Sequence, residues 1–419
     1  LKANVKSSFI TASNHKIQVY FLDNQALYGR SGMYIHPESK KDYVDNDTRF
    51  IFFSRGVLEV LKRMGWQPDI IHCNDWQTGL IPAYLKTLYK EDPFYKKTKT
   101  VFTMHNMAYQ GIFPKTSFTK TLLPKTLLSE KGIESQGCVN FLKAGIVFSD
   151  ALTTVSRKYA LEIRTNGEYG FGLQSLINRR RKNLHGILNG IDYSVWNPAI
   201  DETIPHKYDV KSFDLKIENK KALLARMKMP FKETTPLLGI ISRLAEQKGF
   251  DLIDEILEPM MNMDLQLIVL GVGEKRYHEI LERASRMYPG KVGVHLSFSA
   301  DLAHWIEAGS DIFLMPSKYE PCGLNQMYSL KYGTVPIVRA TGGLDDTIQD
   351  FDPRTGKGTG FKFTKYDGGE LLRTIQRAVE LFADRATWRK IVRNGMSEDF
   401  SWESSAKKYL QLYRSLARK

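Results

Sequence analysis

Over residues 47–64 apolar side chains recur every three or four positions, at Phe50, Phe53, Val57, Val60, Leu61 and Met64, which predicts an amphipathic helix. Gly65 follows, where a helix commonly ends in a left-handed residue. An apolar run at 69–73 predicts a buried strand, 76–88 a helix and 98–104 a second strand. The second half repeats the pattern more clearly. Residues 236–242, 265–271, 292–298, 311–316 and 334–338 are apolar and of strand length. Between them, 249–263, 274–288, 301–308 and 324–332 carry helical spacing; Tyr277, Ile280, Leu281, Ala284 and Met287 fall on one side. Strand followed by helix, repeated, implies parallel strands joined by crossovers and a doubly wound α/β fold.

Residues 197–235, between the halves, hold Pro198, Pro205 and Pro230 among many charges, and Pro236 follows. The expected division is a first domain at 1–195 and a second at 196–400, opened by a charged helix at 214–229. The amphipathic stretch 402–416, within a final segment 401–419, is expected to cross back onto the first domain. Two such domains would place their strand C-termini, and their ligand loops, on either side of one cleft.

A length of 419 residues supports two or three domains, and 42% hydrophobic with 25% charged residues is a globular balance. It excludes wholesale disorder, collagen and a simple coiled coil. No apolar run approaches the roughly 20 residues of a membrane helix, so no membrane partner is expected. Cys73, Cys138 and Cys322 lie far apart and form no CxxC pair, which argues against a disulfide framework or a cysteine zinc site and fits a reducing compartment. The chain opens on Leu1, and residues 8–18 lack the apolar core of a secretory signal; a start inside a longer protein fits this. Sixty basic against 46 acidic residues give a net charge of +14, which favours anionic partners: nucleotide-sugars, nucleic acid or acidic surfaces. The densest basic run, 179–182, reads as a solvated helix end, and no nucleic-acid module accompanies it.

Candidate chemistry gathers at the ends of predicted strands. His72 to Trp76, His105-Asn106, Asn189-Gly190, Arg243 to Lys248, Gly271-Val272-Gly273, Glu320 to Leu324 and Thr341-Gly342-Gly343 all lie there or near the domain junction. Singly, each has a plain structural reading. Asp75 could cap the following helix, His105 could be a core histidine, Glu320 a helix start, Cys322 a small buried residue and Gly271 to Gly273 a tight turn. Their shared position at strand C-termini is what favours a ligand site. Arg243 and Lys248, five residues apart across a strand-to-helix turn, suit a diphosphate, and Thr341 to Gly343 offer backbone N–H groups to the same anion. There is no GxxxxGK[ST] phosphate loop. Asp345 and Asp346 are adjacent at a predicted helix start, where their side chains diverge, so no acidic metal clamp is expected and cations would stabilise the leaving diphosphate.

Seven stretches then carry a resemblance: HCNDWQTG from His72, FTMHNMAYQG from Phe102, LNGID from Leu188, SRLAEQKG from Ser242, PSKYEPCGL from Pro316, LKYGTVPIVRATGGLDDT from Leu330 and DFSW from Asp399. In this order they resemble the bacterial and plastid-type glycogen (starch) synthases, retaining glucosyltransferases of two-domain GT-B fold. The resemblance implies transfer of glucose from ADP-glucose to the non-reducing 4-OH of an α-1,4-glucan, without metal or cofactor, in a bacterial cytoplasm or plastid stroma. It implies that Arg243 and Lys248 bind the diphosphate, that Glu320 bonds the donor glucose, and that His105 contacts that sugar. Cys322, Gly323, Leu324 and Thr341, Gly342, Gly343 would line the glucose and phosphate site, with Gly271 and Gly273 nearby. Asp75 with Trp76 would lie toward the acceptor, and Asn106 and Asn189 would approach the sugar. Two departures stand out. The family's Lys-X-Gly-Gly-Leu loop is missing before Asp75, either because the sequence is partial or because the element is lost; a catalytically impaired glucan- or nucleotide-sugar-binding homologue is the alternative function. Phe298 stands where a tyrosine stacking on adenine is expected. Arg243→Ala and Lys248→Ala are expected to cut turnover and disturb folding little.

Overall fold

The computed structural model describes residues 1–12 and 15–418. Residues 13 and 14, within the expected first domain, and 419, which ends the expected final segment, lie outside the described residues. The chain divides into two compact units. The first comprises Leu1–Thr154, Ala160–His185 and Leu410–Lys419; the second comprises Val155–Tyr159 and Gly186–Tyr409.

The second unit is built on a six-stranded parallel sheet in the order Val292–His295, Gln266–Gly273, Leu237–Leu244, Ile312–Met315, Val335–Arg339, Phe361–Phe363. Numbered along the chain, that is the order 3-2-1-4-5-6 of a doubly wound dinucleotide-type domain. The strand centres are apolar because both faces are covered. Leu238, Ile240, Leu267, Val269, Ile312 and Leu314 enter one buried cluster, with the helices Phe250–Met261 and Gly368–Ala383. Their alternating neighbours Leu237, Ile268, Leu270, Phe313 and Met315 enter another, with Leu223 and Leu224 of Lys216–Arg226 and Ile306 of Ala300–Gly309. The order reverses between Leu237–Leu244 and Ile312–Met315, and the crevice beyond the carboxyl ends of such strands is where ligands bind in this architecture.

The first unit carries a four-stranded sheet in the order Ile70–Asn74, Lys99–Met104, Ala151–Thr154, Leu184–Gly186, with Ile70–Asn74 at its edge. A separate antiparallel hairpin, Asn4–Ala12 with His15–Asp23, went unpredicted, as did the short strand Ala151–Thr154. The predicted helix at 76–88 is instead a 3-10 turn, Trp76–Thr78, followed by Leu80–Leu85. Pro82 has no N–H to extend the helix backwards, and a Cβ on Gly79 would lie 2.0 Å from the Phe141 carbonyl oxygen. The basic run is not merely a solvated helix end either. Arg180 donates to the carbonyls of Ile146, Val147 and Ser149 at 2.6, 2.9 and 2.7 Å, closing the C-terminus of helix Phe141–Phe148. The predicted 402–416 helix spans Trp402–Ala417, and within the first unit the Tyr413 hydroxyl lies 2.6 Å from His72 Nδ1. Among the described residues no helix is long and apolar enough to cross a membrane.

Candidate active site

In the second unit, Leu237–Leu244 carries Arg243 outward at its end, where Arg243 Nη2 donates to Gln247 Oε1 at 3.2 Å. The chain then makes the 3-10 turn Glu246–Lys248 and passes Gly249 at φ +79°. A Cβ on Gly249 would lie 2.2 Å from the Pro316 carbonyl oxygen, so glycine lets this turn rest against the end of strand Ile312–Met315. That contact brings Lys248 to Glu320: Nζ and Oε2 are 2.5 Å apart, with side chains 17% and 9% exposed. Ser317 Oγ donates to the same oxygen at 3.2 Å, which leaves Oε1 to other donors. Glu320 is therefore one half of a largely desolvated ion pair and not a helix start; the next helix begins at Asn325. Buried Arg339 braces the turn by donating to the carbonyls of Ser317 at 2.9 Å and of Lys318.

The loop from Glu320 to Leu324 lies on the Thr341–Gly343 turn. A Cβ on Gly342, at φ +45°, would lie 1.9 Å from the Glu320 carbonyl oxygen, and one on Gly343 would lie 2.0 Å from that of Cys322. Two of the backbone donors expected to face an anion are spent within the protein. Gly343 N–H goes to the carbonyls of Glu320 and Pro321 at 3.0 and 3.1 Å, and Thr341 N–H to that of Arg339 at 2.8 Å. The glycines serve loop-to-loop contact. Cys322 is buried, and burial pushes its thiol up to about 12, opposed by the Asn189 backbone N–H. Asn189 is held because Ile191 N–H donates to the Phe400 carbonyl at 2.8 Å and Gly190 packs against the backbone of Trp402. The LNGID and DFSW segments thus fasten each other. Asp345 pairs with Lys362 at 2.7 Å and Lys158 at 3.3 Å, whereas Asp346 accepts the N–H groups of Arg157 and Lys158, so the two carboxylates diverge as expected. Among the described residues no group of three His, Cys, Asp or Glu side chains could hold a metal ion.

Gly271 and Gly273 are not a tight turn. They continue the strand Gln266–Gly273, and a Cβ on either would strike the carbonyl oxygen of Ser242 or Leu244, at 2.3 and 2.1 Å. The strand predicted to reach Phe298 stops at His295, which leaves Phe298 on a loop with 86% of its surface exposed. Leu324 is also exposed.

In the first unit, Asp75 follows strand Ile70–Asn74 at φ 56°, ψ −177°, a conformation disfavoured for a residue with a Cβ. Its side chain caps no helix. Oδ1 accepts the His105 N–H at 2.8 Å, and burial pushes the carboxyl above its ordinary value, opposed by His105. His105 Nε2 lies 3.0 Å from Asn74 Oδ1, at a partly exposed position. His105 and His72 are both half-buried, and His72 is the one whose ring nitrogens both meet hydroxyls inside the protein. Thr103 Oγ1 lies 2.6 Å from its Nε2, and burial brings it down to about 4, so it is neutral. Trp76, expected with Asp75 toward the acceptor, is packed into the core of the first unit. It is 7% exposed, and its ring meets Phe50 at 4.7 Å, Phe113 at 5.7 Å and Tyr34 at 6.2 Å, so no face is offered to a glucan. Asn106 builds its own turn, accepting Ala108 N–H at 3.0 Å.

Residues 2–179 match the family model of the starch synthase catalytic domain, and 224–395 that of glycosyl transferases group 1. The glycogen synthase of Koribacter versatilis is 50% identical over 397 residues, covering 95% of this chain and 81% of that one. The glycogen synthase of Pseudothermotoga lettingae is 45% identical over 419 residues, covering 100% and 84%. The chain belongs to the glycogen synthase family. Its fold agrees with the catalytic domain of starch synthase IV from Arabidopsis thaliana bound to ADP and acarbose. That match has a TM-score of 0.89 at 33% identity, over 100% of this chain and 85% of that one. The GT-B expectation is met by two units with parallel sheets.

In this synthase the structure gathers Arg243, Lys248, Glu320, Cys322 and the Thr341–Gly343 turn at one strand-end crevice, and Asp75 with His105 in the first unit. Sequence reasoning passed over Ser317, Arg339 and Gln326. All three lie inside quoted motifs or one or two residues beyond them; Ser317 acts on Glu320 within its own motif, whereas Arg339 acts on backbone and Gln326 partly on Thr347, contacts that the motifs do not encode.

Proposed function

We propose that this synthase is a retaining glucosyltransferase that moves glucose from ADP-glucose to the non-reducing 4-OH of an α-1,4-glucan, using neither metal ion nor cofactor. The observation that carries the reading is the Lys248–Glu320 pair with Arg243 beside it, at the switch point of a 3-2-1-4-5-6 sheet. Arg243 and Lys248 supply two positive charges to the diphosphate. As the C1–O bond to phosphate breaks, the charge developing on ADP meets cations already in place. The acceptor hydroxyl attacks C1 from the same face and gives its proton to the departing phosphate oxygen. Glu320, its Oε2 held by Lys248 and Ser317, presents Oε1 to a hydroxyl of the donor glucose. His105, with its backbone N–H held by Asp75, contributes to the sugar as the family resemblance implies. Cys322 is no nucleophile at neutral pH, since burial keeps it a thiol. The ADP and acarbose bound in the starch synthase IV structure support a nucleotide donor and a glucan acceptor. Three free cysteines fit a reducing compartment, bacterial cytoplasm or plastid stroma. The test is incorporation of labelled glucose from ADP-glucose into glycogen, with the anomeric linkage read by NMR. Binding of ADP-glucose without incorporation would leave a glucan- or nucleotide-sugar-binding protein instead.

A further inference from the structure

Gln326 is the second residue of helix Asn325–Tyr332 and is wholly buried. Its Nε2 is surrounded by three acceptors: the carbonyls of Cys322 and Gly323 at 3.0 and 3.1 Å, and Thr347 Oγ1 at 3.2 Å. Thr347 Oγ1 in turn donates to the Gly343 carbonyl at 2.6 Å, and Gly343 N–H returns to the carbonyls of Glu320 and Pro321. These bonds form a closed circuit joining the Glu320–Leu324 loop to helix Gly342–Thr347. The other half of the amide does not take part. Gln326 Oε1 is buried without a hydrogen-bond partner, 2.4 Å from where a Cβ on Gly323 would stand. A methionine would fill the same space with no orphaned acceptor, so the donor half alone accounts for an amide here.

We propose that Gln326 is a positioning residue for glucosyl transfer: its buried amide ties the Cys322–Gly323 loop to the Thr347–Gly343 helix and so fixes where the two loops meet the donor sugar. It touches no substrate. The inference rests on the ADP-glucose reading above. The diphosphate cations stand on a different segment, Arg243 to Lys248, joined to the tied loop through the Lys248–Glu320 pair, so loosening the circuit acts more on the sugar half of the donor than on the nucleotide half.

The test compares the full chain with Gln326→Met and Gln326→Glu. Calorimetry gives ADP and ADP-glucose affinities, and labelled transfer to glycogen gives kcat and KM across pH 6 to 8. For Gln326→Met we expect ADP affinity within about twofold of the parent and kcat lower by about a hundredfold, the scale of a 1 Å misplacement. In Gln326→Glu the ionised carboxylate has no donor for the two carbonyls. Its kcat is therefore low at pH 8 and rises relative to the parent as the buried acid takes up a proton and regains an O–H donor. If Gln326→Met fails to fold, Thr347→Val cuts the same circuit and carries the same expectation for affinity and kcat. Parent-like kcat and pH profile in the folded variants, with only the melting temperature lowered, overturns the positioning role and leaves the function standing. A parent that neither binds ADP-glucose nor transfers glucose overturns the function and this inference with it.

Discussion

Replacing Lys248 by methionine separates the two things this residue does. The side chain keeps most of its length and loses its charge, leaving Glu320 Oε2, among the described residues, with the Ser317 hydroxyl as partner. Removing one member of a fully buried pair costs about 3–5 kcal/mol, because the remaining charge stays desolvated. Here the side chains are 17% and 9% exposed and Ser317 remains, so we expect about 2–3 kcal/mol. For a unit of this size that lowers its melting transition by roughly 5–10 °C. The sequence alone predicts little effect on folding, whereas the buried pair predicts a measurable one. Loss of the cation also costs the diphosphate about 3–4 kcal/mol of transition-state stabilisation, a 10²- to 10³-fold drop in kcat. Adding Glu320→Gln removes the stranded carboxylate, so the double variant regains most of the lost melting temperature and none of the activity. The assays are calorimetric melting and glucose incorporation at saturating ADP-glucose. A Lys248→Met chain that melts like the parent, or a double variant that melts no higher than the single one, would refute the buried-pair argument. Parent-like kcat in Lys248→Met would refute the diphosphate role.

Arg243 is exposed and its guanidinium donates to Gln247, so Arg243→Ala should lower kcat by about a hundredfold with the melting temperature unchanged; a fall in both would show that the turn depends on it. Alkylation of the native protein at pH 8, followed by peptide mass spectrometry, should label half-buried Cys138 and spare Cys322, held up to about 12 by burial, and Cys73, raised further by the same cause. His72 is brought down to about 4 by burial and by His105, from an ordinary 6.5. The folded state therefore binds fewer protons than the unfolded one between those values, and its stabilising effect, full above pH 6.5, is lost as pH falls toward 4, at no more than about 1.4 kcal/mol per pH unit. Melting curves of the parent should show that slope and those of His72→Gln should lack it.

What could be read in the sequence follows from how local each signal is. The strands of the second unit were legible because both faces are buried, which turns alternation into unbroken apolar runs such as those around Leu237 and Leu267. The hairpin at Asn4–Asp23 was not, because Val5, Phe9, Ile17 and Phe21 are all exposed and no single buried face imposes a period of two. The kinds of residue in the site were legible for the same local reason: Arg243 and Lys248 flank one turn, and Glu320 and Cys322 sit in one motif. Their partners were not. Lys248 reaches a carboxylate 72 positions away, and Gln326 a hydroxyl 21 away, across strands whose order periodicity does not encode. Gly342 and Gly343 show the consequence. A glycine pair before a helix is compatible with an anion cradle and with close packing of two loops. The choice rests on whether another backbone occupies the space, and here the Glu320 and Cys322 carbonyls do. The same contact lets Gln326 act on both loops at once, so the packing that removes Gly343 as an anion donor also makes a buried amide next to it relevant to catalysis.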